Sequence, residues 1–207
     1  MLLVIALAAA LRFVALGDVP PGLYRDEAYN GLDAVQVLRG MSPVFFEANN
    51  GREPLFIYLV SAAVALLGRT PVAIRVVAAI LGTLTVPATY FLFRAMYGRG
   101  VALLGAAVLA VTVWPIQLSR IGFRAVAMPL FTALALWQLW VAVRTGRTGR
   151  FTLAGALYGA SFYTYLAARF TPLALVAWLV LRSRRHAPPV RWRHLLAFVA
   201  AALIVLA

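Results

Sequence analysis

The sequence predicts an all-α polytopic membrane protein, and three observations carry that expectation. Hydrophobic residues fill 64% of the 207 positions and mean hydropathy is +0.90, against ~45–50% apolar residues in a soluble domain. Charged residues amount to only 12%. Apolar runs of about membrane-spanning length follow one another along the chain, and inside lipid only helices or closed barrels satisfy every backbone polar group. The expectation is a single transmembrane domain over residues 1–207, built as a helical bundle.

The elements follow in chain order. The run 1–17 has no basic flank and no small-residue cleavage site, so it reads as a retained helix rather than a signal peptide. Arg12 interrupts it. Within 26–39, Ala28, Leu32, Val35 and Leu38 recur on one helical face, and Asp26, Asn30 and Asp33 on another. That pattern predicts an amphipathic helix lying in the membrane interface, apolar face down, with Gly40 as its stop and Asp33 on its solvated side. "MSPVFFEANNGREP" (41–54) has loop chemistry in Asn49, Asn50, Gly51 and Pro54. The run 54–68 reaches roughly 22 Å as a helix, short of a ~30 Å hydrocarbon core. Spans are expected at 71–93, 101–119, 125–143, 151–167, 170–181 and from 195 onward. The last run is cut at Ala207, so the chain reads as a fragment whose C-terminal part is missing.

Charge sets the orientation. The stretches 94–100, 144–150 and 182–194 hold ten Arg and no acid, which favours the cytoplasmic side. With the N-terminus inside, they take that side only if 54–68 does not cross, which makes it a re-entrant or interfacial helix. The first outer loop then runs from 18 to 70, and all six acidic residues lie between Asp18 and Glu53, inside it.

Several function classes lose support. There is no cysteine, so disulfide and thiolate chemistry are excluded. His186 and His194 both fall in a basic stretch, which gives little basis for a histidine metal site. All 19 basic residues are Arg, in keeping with a GC-rich bacterial genome, and a multi-pass chain of such a source is expected in the inner membrane. Most lie between apolar runs, with no aromatic-interleaved basic groove of the nucleic-acid kind.

The acids of the first loop are the candidates for chemistry. Asp26 and Glu27 open a helix, where carboxylates serve as caps. A half-desolvated carboxylate there also suits a general base that takes a proton from an acceptor hydroxyl. Glu53, just before Pro54, reads either as a helix-start acid or as a second carboxylate returned to Asp26 by the loop. Arg120, Arg124 and Arg169 fall at expected outer turns, and Arg75 one turn inside a span. Each reads as snorkelling to the interface or as part of a cationic cluster for phosphate. Trp114, Phe123, Tyr163 and Tyr165 read as interfacial belt residues, and "GALYGAS" (155–161) as a helix-packing pattern.

Four stretches carry a family resemblance: "RDEAYNGLDAVQVLRG", "GREPLFIYLVSAAVALLG", "TPVAIRVVAAILGTLTVPATYFLFRAMYG" and "SRIGFRAVAMPL". In this order and spacing the chain resembles the GT-C membrane glycosyltransferases of the protein O-mannosyltransferase and aminoarabinose-transferase-like group. The resemblance implies a GT-C-like helical bundle with interfacial helices in the first outer loop. It implies an inverting enzyme that moves a sugar from a polyprenyl-phosphate donor to a hydroxyl of a protein, lipid or glycan at the outer leaflet. Asp26 takes the catalytic first-loop position, with Glu27 beside it. The second acidic or basic position falls on Arg52 or Glu53. Arg52, Arg75, Arg120, Arg124 and Arg169 would bind substrate or the lipid phosphate. Metal dependence varies in that group, so a divalent ion is left open, and no clear metal set stands out. The rival readings are a transporter or flippase with an Arg-lined anion path, and a non-catalytic scaffold of the same fold.

Overall fold

The structure is a computed structural model that describes residues 1–184 and 190–207. Arg185 and His186, in the middle of the last Arg-rich stretch, lie outside the described residues. Ten α-helices appear among the described residues: α1 (Leu2–Phe13), α2 (Arg25–Leu38), α3 (Leu55–Leu67), α4 (Pro71–Tyr97), α5 (Arg99–Val111), α6 (Val113–Arg120), α7 (Ala127–Thr145), α8 (Thr148–Ser161), α9 (Thr171–Arg184) and α10 (Trp192–Leu206). Short 3-10 turns occupy Arg124–Val126 and Leu166–Phe170. The only β feature described is one isolated bridge between Phe46 and Arg52.

Two continuous helices are long and apolar enough to cross a membrane, Pro71–Tyr97 and Arg124–Thr145. A third crossing is available if α5 and α6, bent by 54° at Thr112, act as one span. Pro115 explains the bend, since its ring clashes with the carbonyl four residues back and it has no N–H to give. The expected spans at 1–17 and 151–167 come out shorter. α1 ends at Phe13, and α8 stops at Ser161 before an extended Tyr165. The 14 residues of α8 reach only ~21 Å.

α4 is the central strut. One apolar core joins it to α2, α3 and α7 through Ala34, Phe56, Ile57, Val60, Ile74, Val77 and Leu130. A second joins it to α1 and α5 through Ala8, Val86, Tyr90 and the small stripe Ala102, Ala106, Ala110. α8 and α10 meet along Gly155 and Gly159. A Cβ at Gly155 would stand 2.1 Å from the Phe198 carbonyl oxygen, and one at Gly159 2.5 Å from that of Ala202. The expected small-residue packing therefore holds here, backbone against backbone.

Outside and inside are reversed relative to a soluble protein. Leu2, Leu66, Leu104 and Ile204 are exposed, whereas the largest fully buried side chains are Arg12, Arg52 and Arg75. Lipid explains the first half of that pattern. The second half is local and positions the site.

The two ends of the bundle differ in charge. Arg144 and Trp140 of α7 donate to the Ala95 carbonyl at the end of α4, and His194 of α10 stacks on Phe151 of α8. The stretches 94–100 and 144–150 and the described end of 182–194 thus share one end. The acidic segment packs at the other, where α4 and α7 begin. α3 starts there, its Leu55 N–H bonded to Tyr163, and ends at Leu67, four residues before α4 starts. It does not run the length of the bundle.

Candidate active site

α2 begins at Tyr24, whose backbone is extended, and Glu27 sits one turn in. Glu27 accepts the Tyr24 N–H on Oε2 at 3.0 Å, so the capping role belongs to Glu27. The same carboxylate pairs with Arg75, whose Nε lies 2.6 Å from Oε1. Arg75 also donates to the carbonyls of Leu16 (3.1 Å), Pro20 (3.0 Å) and Gly22. Gly122, at φ +62°, closes over the pair. A Cβ there would lie 2.8 Å from Glu27 Cγ. Glu27 and Arg75 are both fully buried, and Arg75 has no donor nitrogen left for a ligand.

Asp33 corrects the sequence reading. It is not solvated but buried, paired with Arg52 Nη2. Arg52 Nη1 donates to Asn30 Oδ1 at 3.0 Å, Nε to the Ala48 carbonyl at 3.1 Å, and its guanidinium lies 5.6 Å from the Tyr29 ring centroid. Asn30 in turn donates to the Gly122 carbonyl at 3.2 Å. The polar face of α2 thus turns into the protein, and Leu32 and Leu38 turn outward. Burial is tolerated because each charge meets an opposite one with its hydrogen bonds filled. Helical periodicity separates the two faces but does not say which one meets a partner.

The Phe46–Arg52 bridge divides structure from site. Phe46 and Arg52 exchange backbone hydrogen bonds at 3.0 and 2.7 Å. In extended chain, successive side chains point opposite ways. Arg52 points back under α2, and Glu53 points into a cleft of about 390 Å³. Ahead of them, Asn49, Asn50 and Gly51 all have left-handed backbones, with φ of 53°, 67° and 76°. Asn and Gly are the residues that accept that region most readily.

The cleft collects Asp26, Glu53, Arg124 and Arg169. Asp26 is half-buried, and its Oδ1 accepts from Asn49 Nδ2 at 2.6 Å. Glu53 is buried between two guanidiniums, with Arg124 Nε 3.4 Å from Oε2 and Arg169 Nη2 3.6 Å from Oε1. Arg124 Nη2 donates to the Gly51 carbonyl at 3.2 Å, and the guanidinium lies 5.2 Å from the Tyr165 ring centroid. The Arg169 side chain is 53% exposed. Phe123 and Tyr165, 6.2 Å apart, form the aromatic wall. These two were expected in an interfacial belt. They line the cleft, because the 121–126 and 162–170 turns fold towards each other.

Half of the eight candidate residues therefore converge: Asp26, Glu53, Arg124 and Arg169. Glu27, Arg52 and Arg75 are buried beside the cleft. Arg120 is tied to the end of α1, donating to the carbonyls of Leu11, Val14, Ala15 and Val19 at 2.8–3.2 Å. Asn49 was overlooked as a site residue, although "NNG" is a recognisable left-handed signal. Among the described residues, no three acidic or histidine side chains gather as a metal-binding group. The cleft's chemistry is thus a carboxylate with no ion pair among the described residues facing a carboxylate held by two arginines, walled by aromatic rings.

Fold and site define the class: an all-α polytopic membrane protein with an acid–arginine cleft at one end of its bundle. The model of the dolichyl-phosphate-mannose-protein mannosyltransferase family matches residues 51–207, well over half of the chain, and the chain belongs to that family. It is a membrane glycosyltransferase of the mannosyltransferase-like kind. The match takes in Glu53, Arg124 and Arg169 and begins after Asp26. No curated protein matches the chain.

Proposed function

We propose that the chain transfers a sugar from a polyprenyl-phosphate donor to an acceptor hydroxyl, with the cleft as active site. The carrying observation is Asp26: a half-buried carboxylate, free of any ion pair among the described residues and oriented by Asn49, at the edge of a cleft that also holds two arginines. Asp26 takes the proton of the acceptor hydroxyl as its oxygen attacks the anomeric carbon. The bond from that carbon to the donor phosphate oxygen breaks, with inversion. The polyprenyl phosphate leaves with the electron pair, and Arg124 and Arg169 hold its charge. Glu53 fixes the two guanidiniums before substrate arrives.

The cleft faces the outside of a bacterial inner membrane in this reading. Support comes from the Arg-rich stretches at the opposite end of the bundle, which favour the cytoplasm. α2 and α3 are then the interfacial helices of an outer loop, 18–70. A transporter path has less support, because Arg75 and Arg120 are bonded to carbonyls rather than open to a passing anion.

The test is transfer of a radiolabelled sugar from a polyprenyl-phosphate donor by the purified full chain and its Asp26→Asn variant. A general base contributes about 10²–10⁴-fold, so the variant should lose at least about a hundredfold in kcat while eluting as a folded protein. A folded variant that transfers at the parental rate removes Asp26 from this role.

A further inference from the structure

A second concavity lies on the far side of α2 from the cleft. It is a groove of about 480 Å³ between α2, the end of α3 and the start of α4, within the ~300–1,000 Å³ of ordinary ligand sites. Its floor is apolar: Ala28, Leu32, Val35, Val64 and Ile74. Gly31 permits the close approach, since a Cβ there would lie 2.7 Å from Ile74 Cδ1. Arg39 and Arg69 stand at its rim, with Gln36 and Thr70. Both arginines are exposed, and among the described residues neither guanidinium has a hydrogen bond or an ion pair. Arg12, Arg52, Arg75, Arg120 and Arg124, by contrast, are all bonded. No acid lines the groove.

Position narrows the occupant. The 27 residues of α4 extend about 40 Å, more than a ~30 Å hydrocarbon core, so its first turn lies at headgroup depth. The groove opens beside that turn, where the positive end of the helix dipole adds to the two arginine charges. A free anion would use the rim and leave the apolar floor idle. An apolar chain alone would use the floor and leave two cations unmatched.

We propose that this groove binds an anionic phospholipid, one acyl chain on the Leu32–Val35–Ile74 floor and the headgroup phosphate between Arg39 and Arg69. The site is separate from the proposed donor cleft, because α2 presents Asp26 to the cleft and Ala28 and Leu32 to the groove. It does not depend on which sugar is transferred or on whether Asp26 is the base.

Native mass spectrometry of the full chain in neutral detergent tests it, with dioleoylphosphatidylglycerol titrated against dioleoylphosphatidylcholine. The phosphatidylglycerol adduct should be the tighter. Arg39→Gln and Arg69→Gln should each weaken it about fivefold and together about 30-fold, the worth of two basic residues beside an anionic surface. The single variants keep the test usable if the double variant does not elute as a folded protein. The pair Arg99→Gln/Arg147→Gln, exposed at the Arg-rich end, should leave the adduct unchanged, and inorganic phosphate should not displace it. Equal loss with that control pair would reduce the effect to net charge and overturn the proposal. So would an unchanged adduct in Arg39→Gln/Arg69→Gln. Displacement by a polyprenyl phosphate that itself needs Arg39 and Arg69 would assign the groove to the donor and overturn it equally.

Discussion

Removing the Glu27 charge tests whether this acid serves structure or chemistry. Glu27→Gln keeps the shape and can still accept the Tyr24 N–H, but leaves Arg75 buried with a positive charge and only neutral acceptors. Breaking one partner of a buried pair costs about 3–5 kcal/mol. The lower end applies here, because the Leu16, Pro20 and Gly22 carbonyls still hold the guanidinium. For a chain of this size ~3 kcal/mol lowers the unfolding temperature by roughly 6–12 °C. Arg75→Met should cost more, since it abandons those carbonyls as well as Glu27. The double variant should be less destabilised than the sum of the singles by about 2 kcal/mol or more, as expected for residues in direct contact. Tryptophan fluorescence during heating in detergent reads all four proteins. Sugar transfer per folded molecule, measured in the cold, should change little in Glu27→Gln. Strict additivity, or a folded and thermally normal variant that has lost transfer, would refute the structural assignment and return Glu27 to the chemistry.

Three further outcomes follow from the same contacts. Asn49→Gly removes the hydrogen bond that orients Asp26 and keeps a residue suited to the left-handed backbone there. A misaimed base forfeits part of a contribution of about 10²–10⁴-fold, so kcat per folded molecule should fall at least about tenfold, beyond the several degrees of melting temperature that the lost bond itself costs. Gly155→Val drives a branched side chain into the Phe198 carbonyl; overpacking of this kind costs about 1–3 kcal/mol or more, so melting should drop by several degrees while Gly149→Val, with nothing within 4 Å of its Cβ position, has no such effect. For orientation, the natural chain lacks cysteine, so single cysteines at Arg69 and Arg147 can be probed with an impermeant thiol reagent. Labelling from outside at 69 alone is expected, and labelling at both positions breaks the proposed topology.

Hydropathy made the helical class legible, and the charge distribution separated the two ends of the bundle before any contact was known. What periodicity could not give was the side of α2 that meets the protein. Asp33 and Asn30 look like a solvated stripe until Arg52, 19 and 22 residues away, is folded beneath them. The one-residue ambiguity between Arg52 and Glu53 is likewise invisible in spacing. In the structure the backbone pairing of Phe46 with Arg52 turns the side chains of Arg52 and Glu53 to opposite sides, and Glu53 is the one that enters the cleft. Helix lengths failed for a related reason. A hydropathy run at 151–167 continues through Tyr163 and Tyr165, but the chain turns there to form the cleft wall, and composition alone carries no record of that turn.

The connection between α1 and α2 makes only turns, and most of its carbonyls have no ladder to join. Two side chains take them instead: Arg120 collects Val14, Ala15 and Val19 together with Leu11 in the last turn of α1, and Arg75 collects Leu16, Pro20 and Gly22. A guanidinium spreads five N–H groups across a plane, whereas an ammonium offers three from a single point. Lysine at either position would conserve the charge and still leave several of these oxygens without their donor. A chain with 19 arginines and no lysine thus has, at these two places, a demand that base composition alone does not express. Its loop is solvated by its own side chains, and the number of donors, more than the sign of the charge, decides which residue can stand there.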